Sequence, residues 1–171
     1  LSAYRTTSNR RKLTGAYSDK SPLAAALQLT EDMEEIPAGM FEGVTDLESI
    51  VLPESVTSIG ANAFRNCTAL REIVLPDGLT SIAANAFENC TALQSITLPV
   101  SVIEIGNNAF AGCENLSALR VEGNVRYLSG NAFEGCPIRE FAYGGDVTMF
   151  TAFRLSDFEM LEKAVLDEGI G

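Results

Sequence analysis

Residues 62–99 read NAFRNCTALREIVLPDGLTSIAANAFENCTALQSITLP, in which NAFRNCTALREIVLP returns 23 residues later as NAFENCTALQSITLP. Extended in both directions, the same shift aligns LESIVLPESVTSIGANAFRNCTA from Leu47, LREIVLPDGLTSIAANAFENCTA from Leu70, LQSITLPVSVIEIGNNAFAGCEN from Leu93 and LSALRVEGNVRYLSGNAFEGCP from Leu116. These four units occupy residues 47–137. Upstream, AAALQLTEDMEEIPAGMFEGVTD from Ala24 keeps the frame: Leu27, Leu29, Ile36 and Phe41 each fall one period before Ile50, Leu52, Ile59 and Phe64. Downstream, the fourth unit is one residue short, and Ile138, Phe141, Tyr143 and Val147 open a further unit that loses its second half. The repeat array therefore spans residues 24–155. Residues 1–23 keep only Leu1, Tyr4 and Leu13 in frame and read as an N-terminal arm or degenerate cap.

A period of this length with apolar residues at fixed offsets is the mark of a solenoid, whose units bury their apolar faces only against their neighbours. Ile50 and Leu52, like Ile73 and Leu75, stand two residues apart, so both point the same way from a short strand. Stacked, these strands make a parallel sheet, and Pro53, Pro76 and Pro99 end them by withholding a backbone donor. The expected architecture is an α/β repeat solenoid: a curved stack with a short parallel β-sheet on one side and turns or short helices on the other.

Three columns of identical residues accompany the sheet. Asn62, Asn85, Asn108 and Asn131 are expected to form a ladder of buried amides pairing with backbone, because an unsatisfied buried amide costs about 1–3 kcal/mol. Phe64, Phe87, Phe110 and Phe133 should stack as an aromatic column. Cys67, Cys90, Cys113 and Cys136 invite a reading as a metal or disulfide site, yet none lies in a close C-x₂-C pair, so they are expected to be reduced, small buried hydrophobes.

The pattern LxxIxLPxxVTSIGxNAFxxC resembles the BspA-like leucine-rich repeats, firmly from Leu47 to Cys136 and loosely from Leu27 to Tyr143. The resemblance implies a curved solenoid, a place in surface or secreted proteins, and binding of host proteins or other cells without chemistry. It departs at Glu122 and Gly123, where the proline is lost.

The ends and the charge add further expectations. SDFEMLEKAVLDEG, residues 156–169, reads as a C-terminal capping helix: Ser156 and Glu159 form a capping box, Phe158, Leu161 and Val165 share a face, and Gly169 supplies a stop. Arg5, Arg10, Arg11, Lys12 and Lys20 against Asp19 give residues 1–20 a charge of +4, so the remainder carries −15 of the net −11. So acidic a body excludes nucleic acid and anionic lipid as partners. No apolar run is long enough for direct membrane insertion, and the sequence as given shows no signal peptide. A weakly protected stack end invites end-to-end self-association, with the degenerate N-terminal edge the favoured one.

Catalysis finds little support. The chain has no His, which removes Ser-His-Asp and Cys-His chemistry and the commonest general base. Its 23 Asp and Glu fall mostly at variable repeat positions, and the Glu31, Asp32, Glu34, Glu35 cluster lacks calcium-loop spacing. No enzyme, metal site or cofactor is expected. Sequons at Asn66, Asn89 and Asn115 matter only where asparagine is glycosylated.

If Ile50 and Leu52 point inward, the residues between them point out. That places Ser49 and Val51, Glu72 and Val74, Ser95 and Thr97, Ala118 and Arg120, then Glu140 and Ala142, on an exposed sheet face. This small, mostly uncharged strip flanked by acids is the candidate partner-binding face, with Arg120 its first candidate for a specific contact. The leading expectation is a non-catalytic protein-interaction module. A glycan-binding accessory domain and a structural spacer are the alternatives; the absence of Trp and the shortage of spare rings (Tyr4, Tyr17, Tyr127, Tyr143) weigh against the glycan reading.

Overall fold

The computed structural model describes residues 29–146 and 158–166. Each repeat contributes two strands separated by a proline turn. The elements are β1 (Glu35–Ile36), β2 (Ser49–Val51), β3 (Ser58–Ile59), β4 (Glu72–Val74), β5 (Ser81–Ile82), β6 (Ser95–Leu98), β7 (Glu104–Ile105), β8 (Ala118–Val121), β9 (Tyr127–Leu128), β10 (Glu140–Tyr143) and β11 (Lys163–Leu166). After each proline the chain reverses through a tight turn, with Val56 N–H donating to Pro53 O, Leu79 to Pro76 O and Val102 to Pro99 O at 3.0–3.1 Å.

All strand pairings are parallel and keep the repeat register: Ile50 faces Ile73, Ile59 faces Ile82, and Ile96 faces Leu119. The single exception to the period is Ala118↔Glu140, one residue shorter, which absorbs the deletion after Cys136. Two sheets run along the stack. The first comprises β2–β4 and the separate run β6-β8-β10-β11; the second is the continuous five-stranded β1-β3-β5-β7-β9. That second sheet corrects the expectation of turns or short helices on the far side.

The reason lies at the corner that follows it. Asn62 and Asn66 have φ of 60°, and their copies Asn85, Asn89 and Asn108 lie between 54° and 59°. Gly39, Gly43, Gly112 and Gly135 fill further equivalent positions at φ 67–75°, and Asn131 alone of these positions departs from the left-handed conformation. Two left-handed residues four apart leave room for one right-handed turn and forbid a helix. Alternate N–H groups close turns within the corner, as Arg65 to Asn62 O and Cys67 to Phe64 O, while the others reach the next turn, as Phe64 to Ala86 O and Asn66 to Glu88 O. The corner is thus a hydrogen-bonded ladder in its own right.

Of the expected ladder of amides bonded to backbone, Asn131 supplies one such bond, its Oδ1 accepting from Asn108 N–H at 3.4 Å. The members of the column are half-buried, and Asn62, Asn85 and Asn108 serve first as left-handed hinges. Asn131 Nδ2 donates to Asn108 Oδ1 at 2.6 Å, whereas the buried Asn62 Oδ1 has no hydrogen-bond partner.

The core is the inner faces of both sheets closed by the aromatic column. Phe41, Phe64, Phe87, Phe110 and Phe133 stack at centroid separations of 4.8–5.1 Å, nearly parallel, and Phe158 ends the column edge-on to Phe133 at 6.3 Å. Each thiol donates to a phenylalanine carbonyl of the preceding turn: Cys67 to Phe41 O, Cys90 to Phe64 O, Cys113 to Phe87 O and Cys136 to Phe110 O, at 3.0–3.2 Å. All four cysteines are unpaired by disulfide. Burial pushes the Cys67 thiol up to about 12 and raises that of Cys90 as well. On the surface Arg65 bridges Glu88 at 2.6 Å and Glu42 at 3.4 Å, one carboxylate on the turn above and one below.

The C-terminal capping helix is not found; no described residue is helical. Lys163–Leu166 instead adds β11 to the sheet, with Glu140↔Lys163 and Tyr143↔Leu166 in register. The open edge of β10 offers carbonyls that a helix cannot pair, and Glu162 and Lys163 N–H both donate to Arg139 O at 2.8 and 2.9 Å. The remainder of the expected helix, residues 156–157 and 167–169, and the arm at 1–23 lie outside the described residues. The two described ends differ in burial. Leu29, Ile36, Phe41 and Val44 of the first described turn are 3% exposed or less, while Leu166 of the last strand is 45% exposed.

Candidate interaction surface

Alternation along each strand sets inward residues into the core and lifts the others clear of it. In β6 Ile96 and Leu98 are buried while Ser95 and Thr97 are exposed, and in β8 Leu119 and Val121 are buried beneath Ala118 and Arg120. The parallel register then lines the outward residues into two rows. One runs Ser95, Ala118, Glu140, Lys163; the other runs Thr97, Arg120, Ala142, Val165. Ala118 and Ala142 sit diagonally in the middle, where short side chains leave a shallow hollow of about 250 Å³ open to solvent. Arg120, Glu140 and Lys163 stand around it.

Of the residues expected on the face, Ser95, Thr97, Ala118 and Arg120 line this hollow, with Glu140 and Ala142. Ser49, Val51, Glu72 and Val74 do not. They occupy the outward positions of β2 and β4, a separate two-stranded ladder that makes no strand pairing with β6. Lys163 and Val165 were not expected there, because the sequence around them reads as helix. The frame itself carries the signal: Lys163 and Val165 fall one period after Glu140 and Ala142. Arg120 is therefore not the sole cation of the face.

Charge around the hollow is mixed. Arg120 Nε approaches Glu122 Oε1 at 3.3 Å, both side chains close to half exposed, and Arg139 bridges Glu162 at 2.9 Å on the adjoining rim. Such exposed pairs contribute about 0–1 kcal/mol each and leave the guanidinium available to exchange partners. Phe141 lines the floor of the hollow but is buried, and the tyrosines lie elsewhere. Tyr143 is buried with its hydroxyl 2.7 Å from Asn124 Oδ1, and Tyr127 is exposed on β9, in the other sheet. Tyr4 and Tyr17 lie outside the described residues. Among the described residues no group of three or more Cys, Asp or Glu is placed to hold a metal ion, and no helix is long and apolar enough to cross a membrane.

The model of the BspA type leucine-rich repeat region matches residues 34–159 in six copies. The chain belongs to the BspA-type leucine-rich repeat family. Solved relatives carry the same fold. A leucine-rich repeat protein of T. pallidum is 30% identical, superimposes with a TM-score of 0.64, and is matched over 78% of this chain and 64% of its own. The pneumococcal vaccine antigen PcpA is 23% identical with a TM-score of 0.65, over 80% of this chain and 35% of its own. A leucine-rich repeat protein from Eubacterium ventriosum is 21% identical with a TM-score of 0.59, over 72% and 34%. The chain thus spans less than two thirds of the length of these solved proteins. No curated protein matches it significantly.

Proposed function

We propose that this BspA-type chain is a non-catalytic interaction module of a surface or secreted protein, and that it binds a protein ligand on the outward face of β6, β8, β10 and β11. The observation that carries the reading is the hollow itself. Small side chains in the middle of an otherwise exposed sheet form a recess that an anchor side chain of a partner can fill, ringed by Arg120, Glu140 and Lys163, which fix orientation. Likeness to a bacterial vaccine antigen supports a surface location. Adhesion to host or partner proteins is the use that this combination favours, and a glycan ligand is less favoured, because the aromatic ring beside the recess, Phe141, is buried and offers no exposed platform.

The test immobilises the chain and measures binding at physiological salt to a panel of extracellular matrix proteins and glycans, beside a variant carrying Thr97→Lys and Arg120→Glu. Saturable protein binding that the variant loses is expected. Binding to protein that the variant retains would remove this face from consideration. Glycan binding alone would replace the function with that of an accessory domain, and no binding to any ligand would leave a spacer.

A further inference from the structure

The cysteine column is not uniform. Cys113 and Cys136 hold the same place on consecutive turns, and the rings three residues ahead of them, Phe110 and Phe133, stack at 5.0 Å. That turn spacing falls within the Cα separation of about 4.4–6.8 Å that a disulfide spans. The two side chains also lie within hydrogen-bonding reach of each other, a contact that raises the Cys113 thiol together with its burial. The pairs Cys67–Cys90 and Cys90–Cys113 have no such side-chain contact. The residue before each cysteine divides the column in the same way. Asn66 and Asn89 precede Cys67 and Cys90, whereas Gly112 and Gly135, at φ 70° and 75°, precede Cys113 and Cys136. Glycine leaves the backbone free to bring the two sulfurs into bonding geometry. Cys136 is half-buried while the other three are buried, so a small oxidant meets it first.

We infer that Cys113 and Cys136 are a redox-modifiable pair, which closes to a disulfide between consecutive turns when a hydroperoxide oxidises Cys136. The Cys136 thiolate sulfur attacks the peroxide O–O bond and becomes a sulfenic acid, and the other oxygen leaves as water or an alcohol. The Cys113 sulfur then displaces the sulfenic hydroxyl, forming the S–S bond, and its proton leaves with that hydroxyl as water. Two thiols lose two electrons and two protons, and the peroxide takes up both. The hydrogen bonds surrendered cost little. Phe87 O and Phe110 O, which accept from the two thiols, also accept from the backbone N–H of Cys90 and Cys113 at 3.1 and 3.2 Å, so neither carbonyl is left bare. Cys67 and Cys90 have neither the sulfur contact nor the glycines, and they stay reduced. The bridge closes the loop that carries β8 and β9.

The test treats the folded, fully reduced chain with hydrogen peroxide, then unfolds it in iodoacetamide and maps the peptides by mass spectrometry. The expected product is one disulfide joining Cys113 to Cys136, with Cys67 and Cys90 alkylated and dithiothreitol restoring all four thiols. Cys67→Ala should leave the bridge unchanged. Cys113→Ala removes the sulfur that resolves the sulfenic acid, so Cys136 should pass on to sulfinic acid about tenfold faster than in the wild-type chain. A wild-type chain in which all four cysteines are alkylated after peroxide, a bridge between any other pair, or a Cys136 that reaches sulfinic acid equally fast with and without Cys113 would each overturn the inference.

Discussion

The turns from Leu47 to Cys113 and those from Leu116 to Leu166 share a period but not a discipline. In the first group the stacking positions are kept: proline ends each sheet strand, asparagine or glycine supplies both left-handed corners, and phenylalanine and cysteine never vary. In the second, Glu122 replaces the proline, Asn131 is not among the residues with positive φ, one residue is lost after Cys136, and among the described residues β9 is the last strand of the second sheet. The exposed edge strand and most of the recess lie in this second group, and β6 of the first supplies the remaining wall through Ser95, Ile96 and Thr97. Where stacking dictates a residue, that residue cannot vary to specify a partner. Where the repeat relaxes on its outward face, it supplies the shape and charge that a partner can read.

The largest consequence concerns the aromatic column. Phe87 has a parallel ring on either side at 5.0 and 5.1 Å and is fully buried. Phe87→Ala should cost about 3–5 kcal/mol. Phe133 is half-buried, with one parallel ring and one edge contact, so Phe133→Ala should cost about 2 kcal/mol less. Denaturant midpoints of the two variants decide the matter, and equal costs would erase the distinction between the two groups of turns.

The asparagine column sharpens it next. Asn85 has a φ of 57° where Gly39, in the equivalent place, has 67°. Asn85→Ala should cost about 1–2 kcal/mol through left-handed strain, and Asn85→Gly should recover most of that. Asn131 carries a hydrogen bond to Asn108 instead. Its replacement by Ala should cost about 0.5–1.5 kcal/mol, and Gly should not rescue it. Rescue at both positions, or at neither, would mean that a single role serves the whole column.

These residues also show what the sequence made legible. The 23-residue frame, the inward alternation and the family are readable, because period and register are properties of the string itself. The second sheet is not, because strands of two residues such as Ser58–Ile59 offer no alternation to count. The left-handed corners were within reach, since Gly39 exchanges with Asn62 and Gly112 with Asn89, an exchange that has one common cause. Residues 158–166 misled for a physical reason. Phe158, Leu161 and Val165 satisfy a helical spacing while Lys163 to Leu166 satisfy an alternating one, and pairing with β10 decided between them. The recess was half visible: its β6 and β8 residues follow from alternation, whereas Lys163 and Val165 required knowing that the frame resumes.

Thiol chemistry distinguishes the two groups without any substitution. Cys67, Cys90 and Cys113 are buried, and Cys136, on the relaxed fourth unit, is half-buried. Iodoacetamide at mild alkaline pH should modify Cys136 first and the other three only after unfolding, as mass spectrometry of the peptides would read. The folded Cys67 value lies near 12 against an ordinary 9.0, so the neutral thiol is the favoured folded form. Its contribution to stability is complete below pH 9 and is lost as pH rises from there toward 12. Urea midpoints that stay flat over that window would show that the thiol is not held by burial.

The smallest expected effect on stability is the one that bears most on function. Ala142 lies in the middle of the recess, and Val51 occupies an outward position on the separate β2–β4 ladder. Ala142→Leu and Val51→Leu each add bulk to an outward face, so neither should change stability by more than about 0.5 kcal/mol. Their effects on ligand binding should diverge. Filling the recess at 142 removes the space for a partner's anchor and should weaken binding at least tenfold, about 1.4 kcal/mol, while Val51→Leu should leave it unchanged. Isothermal titration with whichever protein the panel returns gives both numbers. Equal losses would spread the interface along the whole sheet, and a loss confined to Val51→Leu would move it to the regular turns, against the division of labour that the two groups of turns imply.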